Sequence, residues 1–87
     1  MRVTHRTART LAAIGAHPGS NNRTVAALAG IIDQGQISKL LRRLERIGLI
    51  ENVGSVGPGD PNSWRLTAYG ETVARFVQGA AEAQAPA

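Results

Sequence analysis

Apolar residues recur along this chain at helical spacing before the pattern changes character. Val3, Thr7, Leu11 and Ile14 fall at intervals of four, four and three, which predicts a first helix over about Thr4 to Ala16 with Thr4 as its N-cap. His17-Pro18-Gly19 ends it, because Pro18 disfavours helical geometry at His17 and brings no N–H of its own. A short second helix is expected over about Asn22 to Ala29, capped by Asn21 with Ser20 as the rival cap. Val25, Leu28 and Ala29 are its inward positions. Gly30 then stands where a left-handed C-cap residue is wanted, followed by apolar Ile31. The third helix has the strongest signal. Asp33 and Gln36 form a capping-box-like pair, and Ile37, Leu40, Leu41, Leu44 and Ile47 make one apolar stripe. Gly48 closes the helix after Ile47.

Beyond Gly48 the spacing shortens. Leu49 to Val53 and Ser63 to Leu66 read as two strands, with Trp64 and Leu66 on the core side by alternation. Between them lies a Gly- and Pro-rich loop, residues 54–62. Thr67 caps a fourth helix over about Ala68 to Gly79, with Val73, Phe76 and Val77 expected inside. Residues 80–87 read as a flexible C-terminal tail, and residues 1–79 as one domain. The order is helix, helix, helix, strand, strand, helix: a mainly α fold with a small β-hairpin, the winged helix-turn-helix arrangement.

Composition narrows the chemistry. The 87 residues make one domain, and with one Trp, one Tyr and one Phe the core has to be aliphatic. The absence of cysteine excludes a disulfide framework and a thiolate metal site. His5 and His17 lie far apart, so no metal or cofactor is expected. No apolar run approaches the roughly 20 residues of a membrane span, and the N-terminus shows no signal-peptide pattern. A cytoplasmic protein is the expectation, with no membrane partner. The net charge of +4 favours an anionic partner.

Position says more than total charge. Lys39, Arg42, Arg43 and Arg46 place four of the ten basic residues on the third helix, away from its apolar stripe. Neighbouring like charges destabilise an isolated helix by a few tenths of a kcal/mol per pair, so this face suits an external polyanion. Gly35, at the entry of the helix, either relaxes a tight start or lets backbone approach a phosphate or base edge. Gln34, Gln36 and Ser38 add neutral donors and acceptors at the same end. Glutamine can pair in bidentate fashion with adenine, and arginine or lysine with guanine. A short helix, a glycine turn, a longer basic helix and a hairpin form the order that sets a recognition helix, here about Gln34 to Ile47, into the major groove of double-stranded DNA.

Several segments carry a family resemblance. They are Val25-Ala26-Ala27-Leu28-Ala29-Gly30-Ile31, Gln36-Ile37-Ser38-Lys39-Leu40-Leu41-Arg42-Arg43-Leu44-Glu45, Gly48-Leu49-Ile50 and Leu66-Thr67-Ala68-Tyr69-Gly70. In this order the chain resembles the MarR-like winged helix-turn-helix regulators of bacteria over about Thr4 to Val77. The resemblance implies a three-helix core, a β-hairpin wing and sequence-specific binding to duplex DNA in transcription regulation. Two departures stand out. The gap from Gly30 to Ile37 is one residue longer than in the simplest helix-turn-helix pattern. Wings of this family often carry arginine at the tip, whereas residues 54–62 hold no Lys or Arg and include Asp60. The tip is therefore expected to add little affinity, and Arg65, on the second strand, is assigned to a phosphate. The chain is also short for the family, whose flanking helices build the dimer. A homodimer is the expected working state, either through a longer regulator or through the first and fourth helices.

Other classes fit less well. A protein–protein interaction module on the same scaffold within a larger regulator is the main alternative, since fold does not fix function, but the exposed side of the third helix is basic rather than apolar. No nucleophile–base pair, paired carboxylates or phosphate loop supports an enzyme. Stacking platforms for single-stranded RNA are missing. No motif specifies a small-molecule effector.

Overall fold

The computed structural model describes residues 4–54 and 62–84. The helices are α1 (His5–Ala16), α2 (Asn22–Ala29), α3 (Gln34–Ile47) and α4 (Ala68–Gln84), with strands β1 (Ile50–Asn52) and β2 (Trp64–Leu66) between α3 and α4. The order and types follow the sequence reading. Val3, the wing tip at residues 55–61 and the end of the tail at residues 85–87 lie outside the described residues.

Each helix start is held by the side chain named for it. Thr4 accepts from the Thr7 N–H at 3.2 Å, Asn21 from Thr24 at 2.9 Å, and Asp33 from Gly35 and Gln36 at 2.8 and 3.2 Å. These bonds satisfy donors that have no partner inside the helix. At the far ends Gly30 and Gly48 adopt φ of +73° and +93°, a region that a side chain disfavours. Thr67 does two jobs: its hydroxyl accepts from Gly70 N–H and donates to the Gly48 carbonyl. The start of α4 is thereby tied to the end of α3.

The strands pair antiparallel, Ile50 with Leu66, Glu51 with Arg65 and Asn52 with Trp64. The turn before α2 adds to this sheet. Trp64 donates to the Ser20 carbonyl at 2.9 Å and accepts from Gly19 at 2.8 Å. The core under the sheet is aliphatic apart from one indole: Leu11, Ile14, Val25, Ile37, Leu41, Leu44, Leu49, Ile50, Trp64 and Leu66, closed by Ala26 and Ala29. Thr10 is also fully buried, its hydroxyl satisfied by the Arg6 carbonyl at 2.9 Å.

Six expected inward positions are corrected, three of them exposed and three only half-buried. Leu28 is exposed, because α2 presses its Val25-Ala26-Ala29 face inward and Leu28 falls on its flank. Ile47 lies at the rim of the α3 stripe and is exposed, while Leu40 packs partly against the core. Phe76 is 76% exposed, and Val73 and Val77 are half-buried rather than buried. The cause is Gly70. A Cβ there would drive into the Leu49 carbonyl oxygen, so the α4 backbone lies directly on Leu49. That contact turns Gly70, Val73, Ala74 and Val77 inward, at spacings of three, one and three, and turns Phe76 out. The α4 helix also runs to Gln84, past the Gly79 end that the sequence predicts.

Candidate nucleic-acid interface

With Ile37, Leu41 and Leu44 buried, the orientation of α3 is fixed. At about 100° per residue its outward side carries Gly35, Lys39, Arg42 and Arg46, with Arg43 at the edge. Gln34, Gln36, Lys39, Arg42, Arg43 and Arg46 are all exposed, and Ser38 is half-buried. Lys39, Arg42 and Arg46 thus form an outward ridge, with Gln36 and Arg43 on its α1 side, Ser38 on its wing side and Gln34 beside the turn before the helix. Among the described residues, the single ion pair is Arg65 with Glu51; none of the four α3 cations has a carboxylate within 4.0 Å.

The two adjacent arginines diverge. Arg43 borders a groove on the α1 side, together with Arg6, Thr4, Thr7 and Gln36. Arg42 borders a polar groove on the wing side, with Ser38, Glu45, Asn22, Asn52 and Asn62. That second groove measures about 190 Å³, below the roughly 300–1,000 Å³ typical of small-molecule pockets. It suits an edge of a larger ligand better than a separate small one.

Three asparagines that the sequence reading left out of the site build its wing side. The Asn22 carboxamide oxygen accepts from Trp64 Nε1 at 2.6 Å and from Asn62 Nδ2 at 3.2 Å. Asn52 Nδ2 donates to Asn62 Oδ1 at 2.9 Å, and Asn52 Oδ1 accepts from the backbone of Gly54 and Ser63, each at 3.0 Å. The base of the wing is thus bonded to the first turn of α2. Nothing local marks these partners, since Asn22 and Trp64 stand 42 positions apart. From sequence alone Asn22 is only the first residue of its helix.

Arg65 stands apart from the ridge. It is exposed on β2, and its Nε donates to Glu51 Oε1 at 3.0 Å across the strand pair. The sole basic residue of the wing strands therefore spends part of its charge on a neighbouring carboxylate.

Comparison with known proteins agrees with this architecture. No family model matches the chain, and no curated protein matches it. Solved structures do. The PcaV transcriptional regulator from Streptomyces coelicolor is 32% identical, with a TM-score of 0.78 over 88% of this chain and 56% of its own. FabT from Streptococcus pneumoniae, solved in complex with DNA, is 26% identical, with a TM-score of 0.73 over 87% of this chain and 52% of its own. The chain has the MarR-like winged helix-turn-helix fold. MarR itself matches at 28% identity, with a TM-score of 0.70 over 90% of this chain and 56% of its own. This MarR-like domain spans just over half the length of those structures. Of these, PcaV is a transcriptional regulator and FabT was solved bound to DNA. Among the described residues, no helix is long and apolar enough to cross a membrane, and no cluster of three or more His, Asp or Glu could hold a metal ion.

Proposed function

We propose that this domain binds double-stranded DNA in a sequence-specific way and serves a transcriptional regulator, with α3 in the major groove. The observation that carries the reading is the α3 ridge: four cations without acidic partners among the described residues, set beside the carboxamides of Gln34 and Gln36, on a helix whose opposite face is locked into the core. An unneutralised row of this kind is suited to phosphates, and its side chains to base edges. The basic, polar ridge also weighs against the alternative of a protein–protein module, whose docking face would be more apolar. Arg65 meets a phosphate in this reading, after release from Glu51.

A second copy belongs to the same proposal, because paired recognition helices read paired half-sites. Tyr69 and Phe76, exposed seven residues apart on α4, are suited to that contact. Sedimentation equilibrium of the wild type and of Phe76→Ser checks it; a wild type monomeric at all concentrations, alone and on DNA, removes the dimer.

The main test selects bound duplexes from a random pool and titrates the winners. Wild type should enrich a defined sequence. Arg42→Ala and Arg43→Ala should each weaken binding by about 1–3 kcal/mol where the side chain reads a base, and evenly across sequences where it meets phosphate. A folded double variant that binds as tightly as wild type would remove α3 from the interface.

A further inference from the structure

Ile32 is 96% exposed, more than any other large apolar side chain among the described residues. It lies in the turn between α2 and α3. The turn already has its buried anchor in Ile31, at 9% exposure, and its helix cap in Asp33. Ile32 is the additional residue between them, and its side chain supports nothing in the fold. Packing does not call for isoleucine here, and water disfavours it.

Its neighbours suggest what it meets. Ile32 borders a shallow depression with Arg23 and Ala27 of α2 and with Gln34, the first residue of α3. The turn leads directly into the end of α3 that carries Gln34, Gly35 and Gln36. An apolar side chain beside a cation and a carboxamide, at the leading end of a helix with a basic ridge, matches one major-groove feature. Thymine alone presents a methyl group there, beside acceptors and donors that glutamine can reach.

We infer that Ile32 is a specificity-determining residue that packs against the C5-methyl of a thymine, next to a base edge read by Gln34. The inference rests on the DNA-binding reading above. It adds a residue outside the helix itself, and a requirement for thymine at one position of each half-site.

The test replaces each thymine of the selected duplex, one at a time, with deoxyuridine. That change deletes the methyl and leaves every hydrogen-bonding group in place. At one position, wild type should lose about fourfold in affinity, the equivalent of one buried methyl. Ile32→Ser should bind the thymine duplex more weakly by a similar factor and be indifferent to deoxyuridine at that position. Ile32→Val should keep the discrimination. The inference is overturned if no deoxyuridine affects wild type, or if the effect persists unchanged in Ile32→Ser. A lowered thermal midpoint in Ile32→Ser would show a packing role and overturn it as well. If wild type enriches no sequence from the pool, the DNA-binding reading fails first, and that outcome is distinct from a selected duplex that ignores its thymine methyls.

Discussion

The charge on a single side chain decides little until its partner is known, and Arg65 is the clearest case. It is paired with Glu51 on the neighbouring strand in the free domain, and both side chains stay exposed. An exposed pair of this kind contributes at most about 1 kcal/mol to stability. Glu51→Gln should therefore leave the thermal midpoint nearly unchanged while freeing Arg65 for phosphate. The expected result is tighter DNA binding by a few-fold, equal for specific and non-specific duplexes, measured by fluorescence anisotropy. Unchanged or weaker binding would mean that Arg65 stays off the DNA. Asn22 poses a different problem. Trp64 is 4% exposed, so Asn22→Ala leaves a buried indole N–H without its acceptor, at a cost of about 1–3 kcal/mol. Asn22→Asp keeps an acceptor there but sets a carboxylate beside Arg42 in the wing-side groove. It should retain more stability than Asn22→Ala while losing DNA affinity. Trp64 is the only tryptophan, so its fluorescence follows unfolding in both variants.

Among the elements, α3 and α4 differ in what holds them. The α3 stripe is buried by its own periodicity, and Leu44, 2% exposed, is at its centre. Leu44→Ala should destabilise by about 2–5 kcal/mol, which approaches the whole stability of a small domain, near 5 kcal/mol at the low end. The α4 helix is instead seated by an absence. Gly70→Ala would set a Cβ into the Leu49 carbonyl, and the domain could relieve this only by lifting α4 from the end of α3. A loss of about 1–3 kcal/mol or more is expected. In the isolated domain Phe76→Ala should change stability by no more than about 0.5 kcal/mol, as an exposed position does. Urea titrations of the three variants check this ranking. A Phe76→Ala loss comparable to that of Leu44→Ala would place Phe76 in the core after all.

Across the whole molecule, the basic charge has a direction. Net charge is only +4, yet four cations project from one ridge while the acids Glu45 and Glu51 lie to its side or are paired. Each phosphate contact contributes about −0.9 to the slope of log affinity against log salt. With about four contacts per domain, a fourfold rise in salt should weaken binding by roughly 150-fold. A slope near zero in the same titration would show that the ridge does not meet the DNA backbone.

By itself the sequence determined what depends on neighbours a few positions away. The caps at Thr4, Asn21 and Asp33, the glycine ends at Gly30 and Gly48, the α3 stripe and the basic ridge opposite it all follow from local spacing. They were legible because a helix repeats every 3.6 residues and its first N–H groups need an acceptor within reach. The tertiary structure decided the rest. Gly70 on Leu49 chose which side of α4 faces in, and so exposed Phe76. Asn22 joined Asn62 and Trp64 across some forty positions and fixed the wing to α2. Ile31 took the buried place in the turn and left Ile32 outside. Each of these outcomes depends on which distant backbone arrives at a given surface, and the path of the chain sets that after every local preference has been met.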